Sequence, residues 1–493
     1  MIDAQSFPAD FDEESFFDQP PPTAPESSPG LSLAQKGALA LVGVGLLSTV
    51  IQIFGGPLAG TWPGFLSSLG LLTLGGSLSF WLALKDTQPG IKHDGIFHSS
   101  LLARGALGWV AGILMTGFYV LVYFQPALLG QPAQGEAPTG LVALVDPLAR
   151  AVLRDADGNP GQASSWFLYG VLYCLFMIAF GVRMLMKYRH NRYHQVRTLS
   201  VVFFQCCFAW LLPNLLARFQ KPSIELNGVW PLKHEYLLPA KVEDFLSAGV
   251  SGTTLLLWAL GLVVVATPVL TYFYGKRWYC SWVCGCGGLA ETLGDPWRQN
   301  SDKSPRAWKI ERILIHSVLV AVLVMSALVW IAYAMEPESL HVYDQPGPLG
   351  WADETVKHYY GLLIGSIFSG VVGVGFYPIF GSRVWCRFGC PQAAILGLFQ
   401  RLFSRFRITT NGGQCMSCGN CSTYCEMGID VRAYAQRGEN IVRASCVGCG
   451  VCAAACPRGV LRLENGDTHG DRFELSQDPL AVLREGLKEP KIY

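Results

Sequence analysis

The chain has 493 residues, of which 51% are hydrophobic and only 15% are charged. Soluble proteins carry about 25% charged residues, so this composition excludes an ordinary soluble domain and indicates an integral membrane protein. The 37 basic and 36 acidic side chains nearly balance. No basic stripe with interleaved aromatic residues points to nucleic acid.

Residues 1–36 are predicted to be a disordered cytoplasmic tail. The first 35 residues contain seven acidic side chains, no Lys or Arg, and a proline-rich run from Pro20 to Pro29. Such a composition cannot bury enough apolar surface to fold. It also lacks the basic start and early apolar region of a signal peptide. Both a solvated tail and a docking arm for a partner subunit fit this segment.

Eight apolar stretches follow, each close to the ~20 residues that cross the hydrocarbon layer of a membrane. The predicted spans are 37–54, 64–84, 102–125, 165–186, 198–217, 248–274, 312–334 and 358–380. They predict an all-α polytopic membrane bundle of about eight transmembrane helices, which occupies residues 37–390.

Basic residues predict the orientation of this bundle. Lys and Arg crowd the loops after the fourth, sixth and eighth spans, and positively charged loops stay on the cytoplasmic side. Twelve of the 16 cysteines lie in motifs on that same side, where thiols remain reduced and available to metals. The expected location is therefore a bacterial inner membrane, crossed several times, with both termini and the C-terminal cysteines in the cytoplasm.

The sixth and eighth spans end in a repeated motif. Cys280-x-x-x-Cys284 and Cys386-x-x-x-Cys390 stand 106 residues apart, each preceded by an aromatic residue, Gly, Arg and a second aromatic residue. Cysteines four apart lie on one helical turn, so each pair can present both sulfurs to one site. Two pairs side by side would offer four thiolates. An additional metal centre, redox-active or copper-handling thiols, and structural thiols are the three interpretations.

Residues 391–410 are predicted to form an interfacial amphipathic helix. Apolar side chains fall largely on one side, with Arg401, Arg405 and Arg407 interspersed, as in helices that lie in the membrane interface. Such a helix would hold the following domain close to the membrane face. A linker helix packed on that domain is the alternative.

The strongest motif lies within residues 411–465. Four cysteines at Cys-x-x-Cys-x-x-Cys-x-x-x-Cys spacing begin at Cys415 and recur from Cys446, as in bacterial two-cluster ferredoxins. The motif predicts a small α+β domain that binds two [4Fe–4S] clusters, with structural Cys₄ zinc sites as the alternative. Glu426 follows the first run where Pro457 follows the second, which is expected to change the local turn more than the site. Residues 466–493 are a polar tail.

The fourth cysteine of each run is expected to ligate the cluster of the other run. The first cluster site therefore comprises Cys415, Cys418, Cys421 and Cys456. The second cluster site comprises Cys446, Cys449, Cys452 and Cys425. The segment is too short to build a core of its own, so the clusters are expected to hold it folded.

Span-end motifs followed by a two-cluster ferredoxin resemble the membrane polyferredoxins related to NapH, NosR and CcoG, over about residues 250–465. In that group the motif is usually Cys-x-x-x-Cys-Pro, which Cys390-Pro391 matches, whereas the first copy continues with Gly285. The first copy also has an extra cysteine, Cys286, which leaves open whether Cys280, Cys284 or Cys286 is the ligand or redox thiol. The membrane-edge cysteines are hereafter Cys280, Cys284, Cys286, Cys386 and Cys390.

This resemblance implies an electron-transfer subunit rather than a stand-alone enzyme. Electrons would pass between the quinone pool, or a cytoplasmic donor, and a partner oxidoreductase. The implied partners are membrane lipid and redox subunits, with quinone among the candidates. No nucleophile–base pair, phosphate loop or dinucleotide fingerprint occurs in the sequence, so no catalytic residue is assigned.

Two alternative functions accompany this interpretation. Proteins like CcoG are associated with copper delivery to haem–copper oxidases. That resemblance implies a copper reductase or assembly factor whose copper-facing thiols would be Cys280, Cys284, Cys386 and Cys390. The second alternative is a structural membrane subunit of a respiratory complex.

Overall fold

The computed structural model describes residues 31–87, 89–90, 105–133, 136–154, 158–222, 224–335 and 352–465. Seven helices within these ranges are long and apolar enough to cross a membrane. In chain order they are α1 (Leu33–Ile53), α2 (Trp62–Leu84), α3 (Ala106–Phe124), α4 (Ser165–Lys187), α5 (Arg192–Arg218), α6 (Gly249–Tyr274) and α7 (Pro305–Met335). They confirm the predicted all-α membrane bundle, and α4 is the most enclosed of them.

Shorter helical elements interrupt and connect these spans. π-helical turns occur within α2, α5 and α6 at Leu66–Gly70, Phe204–Leu211 and Leu262–Ala266. The connecting elements are Pro126–Leu129, Gly140–Ala143, Asp146–Val152, His234–Leu237, Pro239–Ser247, Arg277–Cys280, Gly285–Glu291 and Asp295–Asn300.

The eighth predicted span, 358–380, is helical but broken. A helix runs through Ala352–Lys357, His358–Tyr360 and Gly361–Val372, and a separate helix follows at Tyr377–Phe380. Glycines bring this segment against α3, since a Cβ on Gly370 would lie 2.8 Å from the ring of Tyr119. A second cysteine motif then begins in the π-helical turn Trp385–Gly389.

Glycines also let the first two spans pack closely. A Cβ on Gly75 would lie 2.9 Å from the backbone nitrogen of Val42, and one on Gly45 would lie 3.0 Å from that of Leu72. Small residues at such crossings allow helices to approach each other within a membrane. The neighbouring Gly76 has nothing within 4 Å of an added Cβ. The contact of α1 with α2 therefore depends on Gly45 and Gly75.

The ferredoxin domain contains two strands and several short helices. β1 (Arg407–Thr410) pairs antiparallel with β2 (Leu461–Glu464), which places the first and last strands of the domain side by side. The helical elements between them are Gly412–Gln414, Asn420–Thr423, Val431–Arg437 and Val451–Ala454. This arrangement is the α+β architecture that the sequence predicts.

The ferredoxin domain shares one hydrophobic core with the cysteine-bearing end of the bundle. Trp385 and Ala393 from the bundle side and Val447 and Leu461 from the domain belong to a single buried cluster. α8 (Pro391–Phe403) lies between the two parts, and buries Ala393 while Phe403 stays exposed. The domain is therefore packed against the bundle rather than attached by a free linker.

Two predicted boundaries are wrong. The helix predicted over 391–410 ends at Phe403, because Ser404 is extended, and residues 407–410 form β1 of the ferredoxin domain instead. Residues 33–36 of the predicted tail belong to α1, which begins at Leu33 after a capping box between Ser32 and Gln35. Residues 1–30 and 466–493 lie outside the described part of the chain.

Replacing Gly75 by Ala should destabilise the bundle, because the new methyl group presses against the backbone of α1. Overpacking of this kind costs about 1–3 kcal/mol. Gly76→Ala is the matched control, since its methyl group meets no neighbour and Ala is favoured over Gly in a helix by up to about 1 kcal/mol. Thermal unfolding of the purified protein in detergent measures both variants. Equal midpoints would contradict the proposed packing.

Candidate iron–sulfur sites

The two cysteine runs of the ferredoxin domain fold into matching loops. Gly419 and Gly450 have φ angles of 82° and 81°, and each precedes a one-turn helix that carries the third cysteine of its run. Glycine adopts this left-handed conformation without steric cost, and it reverses the chain between the second and third cysteines. The repeat in the sequence is thus also a repeat in backbone geometry.

The four cysteines of the first cluster site line one opening in the protein surface. They are Cys415, Cys418, Cys421 and Cys456. Burial raises the pKa of Cys421 to about 11, and the other three thiols add to this increase. The last cysteine of the second run therefore lies beside the first three of the first run, as cross-ligation requires. The ligation itself stays a prediction.

The second cluster site has the same composition in a more enclosed setting. Burial raises the pKa of Cys452, and the neighbouring Cys449, Cys446 and Cys425 raise it further. Cys446 and Cys452 are buried, whereas Cys418 of the first site is exposed. Each site therefore has four cysteines of its own, and the two sites differ in their access to solvent.

Backbone amides reach a sulfur of each site at equivalent positions. The N–H of Ile429 donates to Cys425 Sγ at 3.4 Å, and the N–H of Val460 donates to Cys456 Sγ at 3.3 Å. Such hydrogen bonds stabilise a ligating thiolate and adjust the reduction potential of its cluster. Within the described residues, no group of three or more His, Cys, Asp or Glu side chains is arranged to hold a single metal ion.

The membrane-edge cysteines come together in space, although more than ninety residues separate the two copies of their motif. All five belong to, or pack against, the hydrophobic core shared by bundle and domain. Arg383 joins the two copies, because its Nη1 donates to the Cys280 carbonyl at 3.1 Å and lies 3.6 Å from Cys386 Sγ. Burial raises the pKa of Cys280 to about 12, and both Cys284 and Cys386 contribute to the increase.

Cys284 and Cys286 differ in acidity within the first copy of the motif. A hydrogen bond with Cys286 lowers the pKa of Cys284 to about 7 despite burial, and the backbone amides of Gly287 and Cys286 assist. The same hydrogen bond raises the pKa of Cys286 well above its usual range. Cys284 is therefore the more acidic of the two thiols, with Cys286 as its hydrogen-bond donor.

The loop of the second cluster site is anchored to the bundle by its backbone. Four consecutive carbonyls accept hydrogen bonds from side chains outside the ferredoxin domain. The pairs are Gln400 with Cys446 (2.9 Å), Ser281 with Val447 (2.8 Å), Tyr193 with Gly448 (2.9 Å) and Arg197 with Cys449. Ser281 follows Cys280 directly, so a single hydrogen bond links the membrane-edge cysteines to this loop.

Glu426 is the centre of a buried ion-pair network between the domain and the bundle. Its carboxylate lies 3.0 Å from Arg383 Nε and 3.1 Å from Arg298 Nη1, and none of its surface is exposed. Burial alone would raise the pKa of Glu426, but Arg383, Arg298 and Arg197 outweigh it and lower the pKa. Glu291 extends the network and pairs with Arg383 at 2.6 Å and with Arg197 at 2.8 Å.

Sequence reasoning missed the role of Glu426. The residue was expected to change mainly the turn after Cys425, yet it supplies a buried anion to two arginines. Those arginines entered the sequence argument only as cytoplasmic charges. Asp295 is a parallel case, buried against Lys187 at 3.0 Å. The sequence did contain a signal for this role. Glu426 follows the expected cluster ligand Cys425 directly, and the chain has many basic residues at the ends of its spans.

Comparisons with known proteins agree with this geometry. A family described as "4Fe-4S binding domain" matches residues 257–309 and 362–409, which contain the two copies of the membrane-edge motif. A "4Fe-4S dicluster domain" matches residues 414–461, which contain all eight ferredoxin cysteines. These matches confirm an iron–sulfur protein and support the resemblance to membrane polyferredoxins.

One curated relative carries a functional name. The chain is 28% identical over 171 residues to the Escherichia coli (strain K12) protein named "Putative electron transport protein YccM". The match covers 34% of this chain and 46% of that protein, so the chain spans less than half of the relative. No solved structure matches the chain.

Cys421→Ser and Cys456→Ser should disturb the same cluster, because both thiols line the opening of the first cluster site. Each variant is expected to lose the same low-temperature paramagnetic signal after dithionite reduction. Cys452→Ser should instead remove the other signal, and Cys207→Ser, within α5 and outside any motif, should remove neither. Loss of different signals in Cys421→Ser and Cys456→Ser would refute the cross-ligation.

Glu426→Gln should strongly destabilise the protein, because it removes one charge from a buried network and leaves Arg383 with Glu291 alone and Arg298 with Asp295 alone. Removing one partner of a buried ion pair costs about 3–5 kcal/mol. Glu439→Gln is the control, since Glu439 pairs with Arg437 at 2.9 Å with both side chains more than half exposed, and exposed pairs contribute about 0–1 kcal/mol. Thermal unfolding with simultaneous readout of cluster absorbance measures both. Similar losses in the two variants would contradict the buried network.

Proposed function

We propose that this protein is a membrane-anchored electron-transfer subunit that connects the quinone pool, or a cytoplasmic donor, with a partner oxidoreductase. The observation that carries the proposal is the hydrogen bond from Ser281 Oγ to the Val447 carbonyl, 2.8 Å long and buried. It joins the residue after Cys280 to the residue after Cys446. Bound [4Fe–4S] clusters would supply one-electron chemistry at the two ferredoxin sites.

The three groups of cysteines form a spatial series in support of this role. The first cluster site opens to solvent at Cys418, and the second site is enclosed between the domain and the bundle. The membrane-edge cysteines, at the ends of two span segments, adjoin the loop of the second site through the Ser281–Val447 hydrogen bond. A carrier with one site open to the cytoplasm and another at the membrane would connect soluble and membrane-bound redox partners.

A third iron–sulfur centre at the membrane-edge cysteines is the finer part of the proposal. Five thiols converge there, and both copies of the motif fall within matches to a 4Fe-4S binding domain. Positive charge would stabilise ligating thiolates, and Lys276 and Arg383 both act to lower the pKa of Cys280. The donor set is therefore suited to an iron–sulfur centre.

Copper reduction is the second candidate, and the acidity of Cys284 favours it. A hydrogen bond with Cys286 lowers the pKa of Cys284, which favours the thiolate form of Cys284 over that of its neighbour. Soft thiolates select Cu(I) over harder cations. In this alternative the ferredoxin clusters would pass electrons outward to a copper ion held at the membrane-edge cysteines.

The cytoplasmic orientation of the ferredoxin domain and of both termini belongs to the same proposal. It rests on the Lys and Arg in the loops after the fourth, sixth and eighth predicted spans. α8 supports it, because Leu402 and Phe403 stay exposed beside Arg401 where an inner interface would receive them. The proposal therefore places α8 at the cytoplasmic interface of a bacterial inner membrane.

Iron content and one cysteine variant test the third centre. Anaerobically purified protein should hold about twelve iron atoms per chain with a third [4Fe–4S] centre, and about eight with the ferredoxin clusters alone. Cys386→Ser should lower the count by about four and leave both ferredoxin signals in place. Cys207→Ser serves again as the control. A wild-type count of about eight would remove the third centre.

Quinol and copper reactions then separate the candidate functions. Added quinol should reduce the ferredoxin clusters, and Cys386→Ser should slow that reaction. Stoichiometric reduction of Cu(II) that Cys386→Ser abolishes, without any reaction with quinol, would favour the copper reductase. Fully loaded clusters that exchange electrons with neither quinol nor a soluble carrier would contradict electron transfer and favour a structural subunit.

A further inference from the structure

The loop of the first cluster site is open to solvent, unlike its counterpart in the second site. Met416, Ser417 and Cys418 are exposed, and Met416 shows 58% of its surface. The equivalent residues Val447 and Gly448 are buried, and their carbonyls accept hydrogen bonds from side chains of the bundle. A soluble protein can therefore approach the first site closely, whereas the bundle covers the second.

The rim of this opening is positively charged. Arg432 and Arg458 line it and are exposed, and none of its described lining residues is acidic. The nearby acidic side chains are engaged elsewhere: Asp430 accepts a hydrogen bond from Ser422 at 2.6 Å, and Glu439 pairs with Arg437. Positive charge placed around a redox site attracts and orients a negatively charged partner.

We propose that the opening formed by Met416, Cys418, Arg432 and Arg458 is the docking surface for an acidic one-electron carrier protein. The proposal rests on the proposed electron-transfer function and names the chemistry of its soluble partner. Met416 offers a flexible, exposed apolar contact, and Arg432 and Arg458 can pair with carboxylates of the carrier. One electron passes between the carrier and the first cluster site, so one is oxidised as the other is reduced, and no bond is formed or broken.

Small charged oxidants test the electrostatics without any assumption about the natural partner. The dithionite-reduced full-length protein is mixed with ferricyanide, an anion, or with hexaammineruthenium(III), a cation, and cluster absorbance is followed. In the double variant Arg432→Glu/Arg458→Glu, oxidation by ferricyanide should slow by about tenfold at low salt, and oxidation by hexaammineruthenium(III) should accelerate. Both differences should shrink in about 1 M salt, where the Debye length falls to about 3 Å.

The matched control is Arg437→Glu, which reverses an exposed charge on the same domain that does not line the opening. It should change both oxidation rates by much less than the double variant does, because it reverses one charge outside the lining instead of two charges within it. Unchanged iron content and paramagnetic signals in all variants show that the arginines act on docking and not on cluster retention. Equal effects of the double variant and the control would overturn the proposal.

An acidic flavodoxin then serves as the protein probe. Its hydroquinone should reduce the oxidised clusters with a second-order rate that falls in the double variant and not in Arg437→Glu. A faster reaction with a basic carrier such as a cationic cytochrome would overturn the proposal. So would a large acceleration on deleting residues 1–30, whose seven acids would then be the occupant of the surface. A protein that lacks the clusters altogether gives no signal with any probe, and that result would instead refute the proposed function.

Discussion

A single carboxylate buried between two arginines fixes the position of the ferredoxin domain on the membrane bundle. If the domain moved away, Arg298 and Arg383 would remain in the protein interior without the charge of Glu426. Removing one partner of a buried ion pair costs about 3–5 kcal/mol, which is a large fraction of the roughly 5–15 kcal/mol that stabilises a typical domain. The separation between the second cluster site and the membrane-edge cysteines is therefore set by the fold and does not vary with a linker.

Because the domain is fixed on the bundle, the loops of the two cluster sites have different surroundings, although their cysteines have the same spacing. In the first cluster site, Met416 and Cys418 are exposed to solvent. In the second cluster site, the loop carbonyls accept hydrogen bonds from Gln400, Ser281, Tyr193 and Arg197. Solvent exposure, nearby charge and hydrogen bonding are the factors that separate the potentials of clusters with the same ligands. The difference between the two ferredoxin sites thus originates in the bundle, outside the ferredoxin motif.

Local patterns explain which features the sequence predicts well. Apolar stretches of membrane length and the spacing from Cys415 to Cys456 are contained in continuous segments, so the bundle and the two-cluster domain can be inferred directly. The ion-pair partners of Glu426 and Asp295 could not be inferred from the sequence. Arg298 and Arg383, which pair with Glu426, and Lys187, which pairs with Asp295, lie far away along the chain. The end of α8 at Phe403 was missed for the same reason: residues 407–410 join β2, which arrives only fifty residues later.

The pairing of β1 with β2 has a consequence for how the protein is made. β1 finds its partner only when Leu461–Glu464 has been synthesised, and the first cluster site lacks its fourth thiol until Cys456 has emerged. Neither the sheet nor that set of sulfurs can be completed on a ribosome that is still translating the first cysteine loop. Completion of this cysteine site is consequently a late event, which follows the synthesis of all the preceding helices.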